Sequence, residues 1–242
     1  MRIRGNAPQR SGPYPLGEFP HVIAVEIGKH IVHRLAVGQT DITGDDFGEM
    51  FASAISGIHR RSPLGIADVE RNGCAWSVKT VKGVRPFTQT KIRAISGRNS
   101  PDFSHGIQNV HSDLAATGRA VLEIWNGRVD EAFRAHDDLR ILVLVRNLST
   151  LHFTIFEHEA ARFVPTEYTW EKNAGGNFVG SDSLGNHCFT WQPHGAQFTI
   201  IRSIPKSAYR FKIAKKPITI SEQQVLGLVN FDDSWIVEVK VP

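Results

Sequence analysis

Apolar and polar residues alternate between Gly65 and Gly83, and this pattern predicts two short β-strands joined by a tight turn. Asn72-Gly73 is favoured in type I′ hairpin turns because both central residues need a positive φ. With these two as the loop residues, Val69 faces Trp76. Because side chains alternate across a strand, the hairpin has one apolar and one polar face. The apolar face holds Ala67, Val69, Trp76 and Val78, and the polar face holds Asp68, Glu70, Ser77 and Lys79.

Helical periodicity predicts elements on both sides of this hairpin. Thr43-Gly44-Asp45-Asp46 is typical of a helix start, with acidic residues in the first turn, and the apolar spacing that follows predicts a helix ending near Gly57. The apolar stretch from His21 to Val37 fits a strand or a helix. Two further helices are predicted, over Leu114 to Trp125 and Val129 to His136, with a break at the Asn-Gly between them.

Strand patterns dominate the second half of the chain. Leu139 to Arg146 and Leu151 to Glu157 read as two strong strands, and the aromatic and glycine-rich stretch from Tyr168 to Pro205 as short strands with long polar loops. Tyr209 to Ala214 and Val225 to Val241 are expected to close the chain in β or mixed structure. The segment from Gly83 to Asp102 is polar and shows no clear strand pattern. The order of elements predicts a mixed α/β protein with a central sheet and a β-rich C-terminal portion.

Three regions are distinguished along the 242 residues. Residues 1–20, rich in Pro, Gly and Arg, are expected to form an N-terminal arm. Residues 21–165 are expected to form the core, and residues 166–242 a β-rich portion that completes the sheet and could belong to the same domain.

Composition narrows the function classes. Two cysteines without a CxxC pair indicate neither a disulfide scaffold nor structural zinc, and a reducing cytoplasm is the expected compartment. We expect no membrane partner, because no apolar run reaches a membrane span and no signal peptide is recognisable. Nucleotide-binding GxxxxGK[ST] and GxGxxG motifs and the GxSxG elbow do not occur. The net charge of +4 is compatible with nucleic-acid binding, and the basic residues are scattered, which suggests a folded binding surface.

The hairpin resembles the core of the PD-(D/E)xK nucleases, the superfamily of type II restriction endonucleases. In that family an acid precedes the hairpin turn, and the next strand carries an acid, one spacer and a lysine. Asp68 matches the first acid and Lys79 the lysine, whereas Ser77 stands at the position of the second acid. Relatives often carry another acid on the preceding helix, where Glu49 lies. The resemblance covers about residues 44 to 83 and implies a restriction-endonuclease-like mixed sheet flanked by helices.

The chemistry of these residues fits phosphodiester hydrolysis. Carboxylates can hold Mg²⁺, which activates water and neutralises charge on the phosphate. Asp68 is the expected ligand, with Glu49 or Glu70 as the second, and Lys79 would assist the water or stabilise the developing charge. Ser77 could only bind a metal-bound water. The alternative is that Asp68 and Lys79 form an ordinary cross-strand ion pair on an exposed face.

Two polar segments are candidates for reading DNA. The first contains Arg98, Asn99, Ser100 and Asp102, where arginine could pair with guanine and asparagine with adenine. The second contains Gln192, His194 and Gln197 between Trp191 and Phe198. Either segment could instead be a polar surface loop.

The sequence thus leads to the expectation of a Mg²⁺-dependent, site-specific endonuclease acting on double-stranded DNA in a bacterium or archaeon. The resemblance also implies a homodimer, because a symmetric dimer cuts a symmetric site most simply. The alternatives are a non-catalytic DNA- or RNA-binding module and, more weakly, a hydrolase of small phosphorylated molecules.

Overall fold

The computed structural model describes residues 12–60 and 65–239, and within them the protein is a mixed α/β structure with two β-sheets. Its helices are α1 (His21–Ala36), α2 (Gly44–Ile55), α3 (Pro101–His105), α4 (Leu114–Phe133) and α5 (Glu222–Leu228). Its strands are β1 (Ile58–His59), β2 (Val69–Arg71), β3 (Cys74–Lys82), β4 (Lys91–Arg98), β5 (Asp138–Asn147), β6 (His152–Glu159), β7 (Thr169–Lys172), β8 (Phe178–Ser181), β9 (His187–Gln192), β10 (Gln197–Ser203) and β11 (Tyr209–Lys212).

The first sheet is mixed and has the strand order β1-β2-β3-β5-β6-β11. Strands β3 and β5 pair in parallel, and the other neighbours are antiparallel. The prediction of a central mixed sheet with helices is therefore confirmed. The second sheet is antiparallel, in the order β4-β10-β9-β8-β7.

The β2–β3 hairpin has the predicted register. Val69 pairs with Trp76 and Arg71 with Cys74. Asn72 and Gly73 occupy the turn with φ of 48° and 77°, the conformation for which this dipeptide is suited.

The first sheet is buried on both faces. On one face, Trp76 and Val78 of β3 and Leu142 of β5 pack against α1 and α2. On the other face, Ala75 and Ile141 pack in a second core with α4 and the second sheet. Strand β5 is accordingly an almost continuous run of buried residues, as expected for a parallel strand covered on both sides. The face that was predicted as polar is therefore partly core.

Each sheet takes strands from both sides of residue 165. Strand β4 lies before that boundary and pairs with β10 of the second sheet, whereas β11 lies after it and pairs with β6 of the first. Strand β4 was not anticipated, although Ile92 and Ala94 alternate with exposed residues along it.

The described part of the N-terminal arm, residues 12–20, packs on the first sheet. Tyr14 and Phe19 are buried, and the Tyr14 hydroxyl donates a 2.8 Å hydrogen bond to Glu157. Glu157 in turn faces the fully buried Arg140, which pairs with Asp138 at 2.7 Å. Residues 1–11 lie outside the described range.

One of the predictions about elements was wrong, and one is now more specific. The expected break at Asn126-Gly127 does not exist, because α4 runs without interruption from Leu114 to Phe133. Asn126 is buried there and bonds the backbone of Phe163 through both its amide and its carbonyl, so its polar groups are satisfied inside a helix. Near the C-terminus, Val225 to Val239 form the end of α5 and a single 3₁₀ turn, with no strand among those residues.

Candidate functional site

A cleft of about 690 Å³ lies where the two sheets and α4 meet. Strand β3 contributes one side, and the end of β4 and the β9–β10 turn contribute another. The lining residues are Gly65, Ile66, Ser77, Lys79, Ile95, Ser96, Gly97, Arg98, Arg128, His194, Gly195 and Gln197. The cleft thus brings together Ser77, Lys79, Arg98, His194 and Gln197, which the sequence had placed in three separate segments.

Asp68 lies beside the cleft and contacts the two lining residues of β3. Its Oδ2 accepts a 2.7 Å hydrogen bond from the backbone N–H of Val78 and longer ones, of 3.4 Å each, from the Ser77 hydroxyl and the Lys79 ammonium. Lys79 also donates to the carbonyl of Val78 at 3.1 Å. Ser77 is buried, whereas Asp68 and Lys79 are partly exposed. The predicted Asp68–Lys79 pair therefore exists, with one carboxylate held against the strand and a lysine directed into the cleft.

Register in the second sheet joins the two segments that were predicted to read DNA. Gln197 at the start of β10 pairs with Arg98 on one side and with Gln192 on the other. His194 lies in the intervening turn and is exposed. Because directly opposed residues of antiparallel strands are neighbours, Arg98, Gln192 and Gln197 form one row across three strands.

Asn99 has a different environment from the one expected of a residue that reads bases. It is fully buried, and its side chain donates a 2.8 Å hydrogen bond to the carbonyl of Val121 in α4. Its backbone N–H donates to Ala196 in the β9–β10 turn, and its carbonyl accepts from the indole of Trp191. In this structure Asn99 connects three elements and is not displayed toward the cleft.

Arg128 is a lining residue that the sequence analysis did not select. Its guanidinium donates a 2.8 Å hydrogen bond to Asn99 Oδ1 and a second hydrogen bond to the carbonyl of Arg98. Burial lowers the pKa of Arg128, but an arginine keeps its charge in proteins. The sequence analysis expected a helix break at Asn126-Gly127, directly before Arg128. No local sequence pattern therefore indicated that Arg128 lines a cleft.

Ser100 and Asp102 lie at the beginning of α3. Ser100 precedes the helix, and Asp102 is exposed in its first turn. Neither is among the residues that line the cleft.

Two further carboxylates considered as metal ligands are engaged elsewhere. Glu49 of α2 forms a 2.6 Å ion pair with Arg34 of α1. Glu70, two residues from Asp68 on β2, lies 3.1 Å from Arg60 and 3.5 Å from His136.

The charge of the cleft lining favours an anion. Lys79, Arg98 and Arg128 contribute three cations, and no acidic residue is among the described lining residues. Arginine forks bind phosphate oxygens through charge-assisted hydrogen bonds, and lysine binds them as a point charge. A phosphate group could therefore be held here while Asp68 lies next to it.

Few side chains next to the cationic cleft could act as ligands of a metal ion. Within residues 12–60 and 65–239, no group of three or more His, Cys, Asp or Glu side chains is arranged to hold a metal ion. Asp68 supplies one carboxylate, and Ser77 adds a neutral oxygen. Mg²⁺ often binds proteins through only one or two carboxylates and takes its remaining ligands from waters and substrate phosphates. Asp68 and Ser77 thus fit part of a magnesium site, whose remaining ligands would be waters, substrate phosphates and a second carboxylate.

Comparison with known proteins leaves the family of the chain open. No family model matches it, and neither the curated proteins nor the solved structures that were compared include a match. Among the described residues, no helix combines the length and the apolar character needed to cross a membrane.

Proposed function

We propose that the protein is a Mg²⁺-dependent endonuclease that hydrolyses phosphodiester bonds of double-stranded DNA at specific sites, as a type II restriction enzyme does. The observation that carries the proposal is the cleft, in which Lys79 and Ser77, both bonded to Asp68, lie together with Arg98 and Arg128. An acid–lysine pair beside two arginines is the arrangement expected where a phosphodiester is bound and attacked.

Each residue has a distinct part in this proposal. Arg98 and Arg128 would bind phosphate oxygens and neutralise their charge. Lys79 would orient the attacking water or stabilise the charge that develops on the phosphate. Gln192 and Gln197, which are paired across β9 and β10, and His194 in the turn between them offer hydrogen-bonding groups for base edges.

Asp68 would hold the magnesium ion, which would supply charge neutralisation and a water of lowered pKa. A second carboxylate would come from Glu49, as the resemblance implies, or from Glu70, after its present ion pairs exchange. Ser77 would contribute a neutral hydroxyl and no charge.

The proposal extends to assembly and location. Cleavage of both strands at a symmetric site is most simply performed by a homodimer. A bacterial or archaeal cytoplasm is the compartment where such an enzyme would meet foreign DNA.

A non-catalytic nucleic-acid-binding module is the second candidate. One observation favours it: Asp68 Oδ2 is already bonded to the Val78 backbone, Ser77 and Lys79, as in a structural ion pair on a hairpin. The same cationic cleft would then bind phosphates without cutting them.

The test is incubation of the purified protein with long, unmethylated duplex DNA, with Mg²⁺ in one series and EDTA in the other. Discrete fragments that appear only with Mg²⁺ support the endonuclease. Intact DNA in every lane, together with a salt-sensitive mobility shift, contradicts it and supports the binding module. Cleavage of small phosphoesters with duplex DNA left intact also contradicts it.

A further inference from the structure

The last part of the described chain, residues 214–239, is an arm with many apolar residues and no buried ones. Its apolar side chains that are more than half exposed are Ile218, Leu228, Trp235, Ile236, Val237 and Val239. Isolated exposed apolar residues are common on proteins, but so many of them within one short segment are typical of an interaction site.

The arm nevertheless has locally encoded structure. Ser221 and Gln224 form a reciprocal capping box at the start of α5, and the Asp232 side chain accepts from the N–H of Ser234 at the following 3₁₀ turn. Helix α5 has only seven residues. A helix this short is marginal in water unless one face packs against something else. We therefore expect the arm to have a docking surface outside its own contacts.

An apolar groove of about 490 Å³ runs between α1 and β11. Ala24, Val25 and Val32 of α1 line one side. Tyr209 and Phe211 of β11 line the other, and Ile213 extends it. Because β11 is the outer strand of the first sheet, this groove lies at the edge of the fold.

The arm begins beside this groove and leads away from it. It follows Ile213 directly, and the N–H of Ile220 donates a 2.7 Å hydrogen bond to the carbonyl of Ala36, the last residue of α1. Beyond that contact, α5 and the 3₁₀ turn lie exposed. No residue of the arm is among the described residues that line this groove, although the arm follows the last of them directly in the chain.

The charges of the arm and of the groove border indicate which surface the arm can bind. The arm starts with two lysines, Lys215 and Lys216. From Pro217 to Val239 it has four acidic residues, Glu222, Asp232, Asp233 and Glu238, and no Lys, Arg or His, so this larger part of the arm is acidic. The groove has no acidic residue among its described lining residues and is bordered by His21, Lys29, His33 and Lys212, of which Lys29 is paired with Glu26. An acidic arm would be repelled by DNA phosphates, and it is complementary to the basic border of the groove.

We infer that the arm of one protomer docks in the α1–β11 groove of a second copy, and that the two copies exchange arms reciprocally. Such an exchange is closed by a two-fold axis, since the same two surfaces meet twice. The exposed apolar residues of the arm would then cover the apolar groove, with the acidic residues of the arm facing its basic border. This inference does not rest on nuclease activity.

Sedimentation velocity of the full chain across the micromolar range is the first test. The full chain is expected to dimerise, and Leu228→Asp in the arm or Val25→Asp in the groove is expected to raise the dimer dissociation constant at least about tenfold. Leu184→Asp is the control for Leu228→Asp, because Leu184 is likewise a highly exposed leucine but lies in the β8–β9 turn of the second sheet. A monomer at every concentration, or a dimer indifferent to both variants, overturns the inference.

Disulfide trapping tests the exchange itself. In a Cys188→Ser background, a Leu228→Cys chain and a size-tagged Val25→Cys chain are mixed and oxidised. A disulfide-linked species containing one of each supports docking between copies. When both substitutions are in one chain, formation of only an internal disulfide overturns the exchange. Because both tests measure assembly without DNA or Mg²⁺, their failure is distinct from failure of the proposed activity.

Discussion

Asn99 holds Arg128 beside the cleft: its side-chain oxygen accepts a 2.8 Å hydrogen bond from the Arg128 guanidinium. The amide of the same side chain donates to Val121 of α4, and the Asn99 carbonyl accepts from Trp191 of β9. A buried asparagine therefore fixes a cleft cation relative to both α4 and the second sheet. The position of that positive charge is set by the fold and not by a mobile loop.

Arg128→Ala is expected to weaken DNA binding about tenfold, the loss of one charge-assisted hydrogen bond. It is also expected to lower the slope of log K against log salt by about 0.9, the contribution of one phosphate contact. Arg128→Lys should bind DNA more weakly than the wild type but more tightly than Arg128→Ala, since lysine keeps the charge but lacks the paired donors of the guanidinium. Binding to a short duplex at several salt concentrations, with EDTA present, measures all three proteins.

Arg119→Ala is the matched control, because Arg119 lies on the same helix but is exposed and does not line the cleft. We expect a change well below that of Arg128→Ala. Equal losses for the two variants would show that the cleft is not where phosphate is bound.

Asp68→Ala is expected to lower the rate of Mg²⁺-dependent cleavage by on the order of 100-fold or more, with DNA binding retained. The reason is that the variant removes the carboxylate proposed to hold the metal but none of the three cleft cations. Lys79→Ala should also lower the cleavage rate strongly, with a modest loss of binding. Cleavage rates and mobility shifts on the same duplex separate the two effects.

Lys172→Ala removes an exposed lysine from β7 and serves as the control for Lys79. Undiminished cutting by Asp68→Ala would rule out the proposed site. If Asp68→Ala does slow cleavage, Glu49→Gln and Glu70→Gln are compared in the same assay. The variant that slows cleavage identifies the second carboxylate.

The hairpin could be predicted from the sequence, because the signals for its turn and its strand faces act over only a few residues. Asn72-Gly73 specifies the turn, and alternation specifies which side chains face Trp76. The start of α2 was predictable for the same reason, since Thr43 and Asp46 form a capping box within one turn.

Errors arose where distant contacts override local preference. Asn126 is a poor helix former in isolation, yet its two hydrogen bonds to Phe163 keep it within α4. The cleft was only partly predictable, because the register of β10 with β4 and β9 is a tertiary feature. That register places Gln197 beside both Arg98 and Gln192, and no local pattern indicates it.

Arg140→Leu is expected to destabilise the fold by about 3–5 kcal/mol. The Arg140 side chain is fully buried, and the substitution would leave Asp138 and Glu157 buried without their counter-charge. Urea denaturation measures the change. Arg162→Leu is the control, since Arg162 and Asp130 form a pair with largely exposed side chains, and it should cost no more than about 1 kcal/mol. Similar costs for both variants would contradict the expectation that Asp138 and Glu157 depend on Arg140 for their buried counter-charge.

Asp41→Asn is expected to destabilise the protein at neutral pH and to have little effect in acid. Burial raises the pKa of Asp41, but hydrogen bonds from Lys82 and Arg146 outweigh it and lower the pKa from 3.8 to about 2. A carboxyl whose pKa is lowered in the folded state stabilises the fold at pH values above its unfolded-state pKa. It loses that contribution as the pH falls toward about 2, the pKa in the folded state.

The expected cost of Asp41→Asn at pH 7 is about 1 kcal/mol, because the Asp41 side chain is 41% exposed although its partner Arg146 is buried. Urea denaturation of the wild type and the variant is compared at pH 7, 5 and about 3. The difference between them should be full at pH 7 and 5 and should shrink below about pH 4. Asp130→Asn, which disrupts an exposed ion pair, should show a smaller difference. A difference for Asp41→Asn that persists unchanged in acid would mean that the asparagine acts through lost packing and not through the lost charge.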